Sequence, residues 1–198
     1  NDSYVWRSMS GKSPTEDYSI DSHVLYSKKN GADWYTDVLA DRLLIDDLLV
    51  MMCRSTDTQA WYGQGRTLSS TFFNSNGGMD TKGMFWGSTD NGDGVKVFGM
   101  EHYWGNAIRY VAGLVTQNIT HSVKLTRGTH DGSTANDYNL NGTGYITLPH
   151  TATTTSTTTY ITGTKTYSYG RIPYAGGGSS STYECDTMYV PNMATISH

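Results

Sequence analysis

The sequence predicts an α+β fold with one long core helix and short, mostly antiparallel strands joined by many loops. Three observations lead there. Between Asp33 and Met52, apolar residues recur at spacings of three and four, the period of one helix face. After residue 60, glycines at 63, 65, 77, 78, 83, 87, 92, 94, 99 and 105 break the chain before any helical period lasts three turns. Short alternating stretches follow, carrying the β-branched and aromatic residues that suit half-buried strands.

The 198 residues suffice for one domain with a real core, and the whole chain, 1–198, is read as that domain. Charged residues are 16% against about 25% in ordinary soluble domains, and Gly (22), Tyr (15), Ser, Thr and Asn fill the gap. Few charges with many rings exclude a disordered chain, which needs low hydrophobicity and high net charge. The 14 basic residues are scattered among 18 acidic ones, leaving no phosphate-binding surface, so nucleic acid is excluded as a partner. The longest apolar stretch is cut by Asp46 and Asp47, short of the ~18 residues of a membrane span, so membrane insertion is not expected. Cys53 and Cys185 form no C-x-x-C pair and are read as two unlinked thiols, with one long-loop disulfide as the alternative.

Residues 19–26 alternate as a strand or a short helix would, and Asn30-Gly31 marks a break. The main helix then runs over 33–52, with Asp33 as its N-cap, Asp37 near the positive end of its dipole, and Ser55-Thr56-Asp57-Thr58 beyond its end. Leu48 to Met52 is apolar all round, which predicts a helix end buried on every side. Strands are expected at Val95-Lys96-Val97-Phe98, at 107–115 with Ile108, Tyr110 and Ala112 facing inward, and at 122–126. The Thr-rich stretch 151–167 suits an exposed loop leading into an edge strand, in preference to a mucin-like linker, because Tyr160, Ile161, Tyr167 and Tyr169 resume alternation at once. Residues 183–190 form a last strand candidate after the Gly176-Gly177-Gly178 cluster.

Few constellations carry chemistry. Asp90-Asn91-Gly92-Asp93-Gly94 with Glu101 imitates the first and last positions of a calcium loop. Gly92 and Gly94 occupy its third and fifth positions and bring no side-chain oxygen, so a tight hairpin turn accounts for these residues better. The six histidines, 23, 102, 121, 130, 150 and 198, show no metal-pair spacing, and His130-Asp131 sits in a turn-forming run. No metal or cofactor is expected. Neither G-x-S-x-G nor a thiol-histidine neighbourhood is visible, Gly63-Gln64-Gly65 opens no helix for phosphate, and the acceptor triplets at Asn118 and Asn141 are the kind a Thr- and Asn-rich chain produces by chance. Paired carboxylates from distant elements stay open as a glycosidase alternative.

The most specific string is 97–113, where Phe98-Gly99-Met100-Glu101-His102-Tyr103-Trp104-Gly105-Asn106 sets rings ahead of a Gly-Asn turn. A ring can pack over such a turn while the Asn amide satisfies loop backbone groups, which is a structural task for Glu101, Trp104, Gly105 and Asn106. The string resembles the Gly-Asn-x-Trp-x-x-Val motif of the C-type-lectin-like fold shared by formylglycine-generating enzymes and phage variable receptor-binding proteins. The similarity is strongest to tail-associated proteins of gut bacteriophages and prophages, in which an apolar helix like 34–52 and a Gly-x-Gly loop like 58–65 precede it. Two departures stand out: Ile108 replaces the second aromatic residue, and the chain ends where such proteins continue into glycine- and cysteine-rich strands, so the domain is expected to lack its closing C-terminal strands.

The resemblance implies a non-enzymatic virion protein, at the tail or as a decoration, attached to a bacterial surface glycan or protein and to other virion chains as a homo-oligomer. For a prophage or bacterial protein it would imply an extracellular or cell-surface place instead. Neither Cys53 nor Cys185 matches the catalytic cysteine pair of formylglycine-generating enzymes, so no catalytic residue is inherited. Tyr169, Tyr174, Tyr183 and Tyr189 are the candidate ligand contacts, since tyrosine gives rigid amphipathic contact area at low entropic cost. A purely structural virion scaffold and a glycan-active or sulfatase-maturing enzyme are the alternatives.

Overall fold

The computed structural model describes residues 4–15, 18–66, 74–87, 94–107, 109–117, 120–125, 143–151, 157–167, 170–177 and 187–190, with the backbone alone at many strand positions from Thr116 onward. The fold is α+β, and every strand pair in its sheets is antiparallel.

The ambiguous stretch near residue 20 is helix α1, Ile20–Lys28. The Ser19 hydroxyl accepts the Ser22 N–H at 3.3 Å, Asp21 lies in the first turn and Lys28 in the last, so capping and dipole agree on a helix. Asn30 Nδ2 closes it by donating to the Ser27 carbonyl at 3.2 Å and ties it to the Trp6 carbonyl at 2.8 Å. Trp6 meets Tyr18 and Tyr26 edge to face, so the N-terminal segment lies on α1 through rings.

Helix α2 spans Leu39–Cys53, later than predicted, and Asp33 does not cap it. The cause is tertiary. Val38 is extended, fully buried, and bridged in parallel to Ala112. The Leu39 N–H donates to the Ala112 carbonyl at 2.8 Å and the Ala112 N–H to the Asp37 carbonyl at 2.7 Å, groups that a helix through 33–38 would need for itself. Asp37 pairs with the Arg42 guanidinium instead of standing in a first helical turn. At the other end Arg54 takes the left-handed conformation (φ 52°) and its N–H returns to the Val50 carbonyl.

The expectation that the end of this helix is buried all round is also corrected. Leu49 is 1% exposed, whereas Leu48, Met51 and Met52 are 38%, 73% and 48% exposed. Only the stripe through Leu43, Leu49 and Cys53 is covered. The one-turn helix α3, Gln59–Tyr62, follows, with the Asp57 carboxylate accepting the Ala60 N–H at 3.0 Å.

Strands β1, Lys96–Val97, and β2, Met100–Glu101, form a hairpin whose two turn residues, Phe98 and Gly99, both have positive φ (49° and 81°). That conformation matches the twist of the flanking strands. The turn expected at 91–94 falls largely on positions outside the described residues. The described residues 107 and 109–113 form no strand: apart from the Ala112 bridge they are irregular, Gly113 has φ 94°, and Tyr110 is 37% exposed rather than inward-facing, while Ile108 lies outside the described residues. The backbone of Ala112 is committed to Asp37 and Leu39, so sheet pairing begins only at β3, Leu114–Gln117. With β4, Thr120–Val123, and β5, Ile146–Thr151, it makes a sheet of order β3-β4-β5. Val123 and Leu148 from this sheet pack on Leu43.

The Thr-rich stretch becomes β6, Thr157–Tyr167, between β7, Gly170–Gly177, and β8, Thr187–Val190. It is thus the central strand, not the predicted edge. Its 11 residues are long enough to give Thr157 to Tyr160 to β8 and Tyr160 to Tyr167 to β7. The last strand covers only part of the predicted 183–190, whose first four positions lie outside the described residues. Arg171 of β7 reaches Asp47 of α2 at 3.5 Å.

Candidate functional site

The inner stripe of α2 determines where the 95–106 segment sits. Leu49 forms one core cluster with Val95, Val97 and Tyr103, and Trp104, Phe85 and Tyr62 close around it. Tyr103 is held twice: its hydroxyl donates to Asp46 Oδ1 at 2.8 Å, and its carbonyl accepts Arg42 Nη1 at 3.0 Å. The Arg42 guanidinium also lies 4.5 Å from the Tyr103 ring centre, in cation–π position. Burial first, and then the Asp46 charge, push the Tyr103 hydroxyl far above its ordinary pKa, so it stays a proton donor.

From this anchor the chain turns through two left-handed non-glycine residues, His102 (φ 54°) and Asn106 (φ 63°), a conformation that Asn and His tolerate better than most. The motif residues then direct their polar atoms to the backbone of Gly63 and of 74–79. The Glu101 carboxylate accepts the Gly77 and Met79 N–H groups at 2.5 and 2.8 Å. Trp104 Nε1 donates to the Gly63 carbonyl at 3.0 Å. Asn106 clamps Asn74 from both sides, accepting its N–H at 2.7 Å and donating to its carbonyl at 3.2 Å. Buried Lys96 adds Nζ bonds to the Met79 and Lys82 carbonyls at 2.8 and 3.3 Å. With its carboxylate committed to two amides, Glu101 is not placed as a calcium ligand, and among the described residues no three metal-ligating side chains converge.

Of the four candidate tyrosines, two fall on described strands. Tyr169 and Tyr183 lie outside the described residues. Tyr174 lies on β7 and Tyr189 on β8, the two strands flanking β6, with Tyr189 in register with Thr158 and Tyr174 beside the irregular pairing at Gly163 and Thr164.

One side chain that sequence reasoning passed over does stand in a cavity. His102 is 4% exposed and lines a space of about 500 Å³ together with Ser10, Ser75, Gly78, Trp86 and Gly94. Neither ring nitrogen completes a hydrogen bond among the described residues. Burial lowers the His102 pKa, against weaker upward pulls from the Ser75 backbone and the Glu101 charge, so the ring is neutral at pH 7. Gly94 makes the space possible: a Cβ there would stand 2.7 Å from His102 Nδ1. The spacing of the histidines gave no sign of this site. The available signal was local, a histidine between a strand pair and a Trp-Gly-Asn turn, where the chain must leave the sheet.

No protein-family model matches this sequence, and no curated protein or solved structure matches it.

Proposed function

We propose that this chain is a non-enzymatic, lectin-like virion module, in a phage tail or decoration protein, that presents its loops to a bacterial cell-surface glycan or protein. The observation that supports this best is how Gly63 and the loop 74–79 are held. Glu101, Trp104, Asn106 and Lys96 fix these from one side, and Leu49 braces the corner that carries those side chains. Side chains that hold a loop's backbone are not available to attack a substrate, and a pre-ordered loop loses little entropy on binding. The resemblance of residues 97–113 to phage receptor-binding proteins supplies the setting, and the Tyr-, Ser- and Gly-rich composition suits such a contact surface.

A second reading has its own observation. Leu44, Leu48, Met51 and Met52 on α2, at 60%, 38%, 73% and 48% exposure, form an uncovered apolar stripe of the sort that seats a neighbouring chain, as in a structural scaffold or a homo-oligomer. The deciding experiment incubates the purified chain with whole bacterial cells before and after periodate oxidation or protease treatment. Attachment lost with one treatment supports the receptor reading and tells glycan from protein. No attachment, with assembly into large symmetric particles, favours the scaffold, and release of reducing sugar from cell polysaccharide would overturn both.

A further inference from the structure

We infer that the His102 cavity is a binding site for a neutral, polyhydroxylated ligand, one or two rings of a sugar. This deepens the attachment reading and rests on it for the source of the sugar. The chemistry of the lining selects the ligand class. A neutral imidazole offers one donor and one acceptor, and the His102 ring lines the cavity with neither nitrogen completing a bond among the described residues. A buried polar group left in that state costs about 1 to 3 kcal/mol, so the site is built for a group that answers it, and a sugar hydroxyl donates and accepts at once.

Among the described residues no charged side chain lines the space. Of the ions beside it, Glu101 is committed to the Gly77 and Met79 amides, Lys96 to the Met79 and Lys82 carbonyls, the Arg109 guanidinium to the His102 carbonyl and Arg66 to the Asn74 side chain at 3.2 Å, while Lys82 stands over the Trp86 ring. A buried ion would find no counter-charge among the described lining residues, whereas a neutral ligand needs none. Trp86 adds an aromatic surface for the C–H face of a pyranose, with the Lys82 ammonium 4.8 Å from the centre of its ring. The volume, about 500 Å³, lies within the ~300–1,000 Å³ of small-ligand sites.

The walls are fixed before any ligand arrives. Asn106 holds Asn74, Glu101 holds Gly77, and Asn76 exchanges backbone bonds with Gly11 and Lys12 at 2.7 and 2.9 Å. The N-terminal segment thereby becomes one wall through Ser10, packed so closely on Gly77 that a side chain there would overlap it.

The test is saturation-transfer NMR on the full chain with methyl glycosides of glucose, galactose, mannose and N-acetylglucosamine, alongside glucose 6-phosphate and inorganic phosphate. H102F keeps a flat ring but removes both nitrogens, and W86A removes the aromatic wall while leaving His102 in place. At least one neutral glycoside is expected to bind, with ring C–H protons most saturated, and either variant should weaken it about tenfold or more. If H102F fails to fold, W86A and the shift of the His102 ring resonances on adding sugar to the wild type give the same decision. Binding of the phosphates alone, binding unchanged in both variants, or no glycoside binding overturns the site. Whole-cell attachment is measured in parallel. Attachment retained by wild type and variants without sugar binding overturns this site and leaves the attachment reading standing. Sugar binding at His102 without attachment to any cell tested overturns the attachment reading alone.

Discussion

Replacing Asn106 with Ala tests whether the Trp-Gly-Asn corner holds the loop in place. The substitution removes both amide bonds and leaves the Asn74 N–H and carbonyl without the partners they have at 2.7 and 3.2 Å. Each buried group so orphaned costs about 1 to 3 kcal/mol, and because this pair is only part-buried, water should hold the cost near the lower end, about 1 kcal/mol each. Alanine must also occupy φ 63°, a left-handed conformation that Asn adopts more readily, at a cost of roughly 1 kcal/mol. The sum is about 3 kcal/mol. In a domain of this size each kcal/mol lowers Tm by about 2–4 °C, so N106A should melt about 6–12 °C below the wild type. N106G relieves the backbone strain and keeps the bond loss, so it should fall between the two. Thermal denaturation followed by circular dichroism reads the ranking, and amide exchange at Asn74 should accelerate in both variants. An N106A melting within about 2 °C of the wild type would refute the clamp as a source of stability. An N106G as unstable as N106A would remove the strain component.

Three further outcomes follow from the same packing. Leu49→Ala opens a cavity beneath Val95, Val97 and Tyr103 and should cost about 3–5 kcal/mol in urea denaturation, whereas Met51→Ala, at 73% exposure, should cost under about 0.5 kcal/mol. Tyr103→Phe leaves Asp46 without its 2.8 Å donor and should cost about 1 kcal/mol, with equal m-values distinguishing lost stability from a changed denatured state. The third concerns pH. His102 has its pKa lowered by burial, so below the unfolded value of about 6.5 the unfolded chain binds more protons than the native one. Its contribution is therefore complete above about pH 6.5 and is lost as pH falls below it. His23, also lowered by burial, acts in the same direction, so in a series of melts from neutral to mildly acidic pH, H102Q should flatten the acid decline only in part. An unchanged slope would mean that the ring is solvated.

How far the sequence was legible depends on whether an element is specified locally. The α2 stripe of Leu43 and Leu49 was readable because spacing alone encodes it, and the structural use of Glu101, Trp104 and Asn106 was readable because a Gly-Asn turn needs side-chain partners. The start of α2 was not readable. Residues 33–38 carry helical spacing, but the Val38–Ala112 bridge takes their backbone groups, and no local feature announces a partner 74 residues away. The burial of 48–52 failed for a related reason, since an all-apolar turn reveals how many faces could be covered and not how many are. In the same way β6 looked like an edge because threonine tolerates exposure, while its central place depends on two later strands.

The His102 cavity was invisible for a different reason, and that reason bears on what it does. Around it, polar groups find partners by motif logic: carboxylate to amides, amide to peptide, ammonium to carbonyls. Such pairs leave a trace in residue type and spacing. A side chain left uncompensated among the described residues leaves none. His102 sits in a left-handed backbone conformation, has its ring pressed against Gly94, and is desolvated with neither nitrogen satisfied. Each of these costs free energy, and a fold that needed only a filled core could place an apolar residue there at less expense. The consistency of the surrounding corner makes the exception informative, since locally unfavourable residues inside an otherwise satisfied network are expected at functional positions. On the proposed reading, a ligand hydroxyl answers what the described scaffold around His102 leaves open.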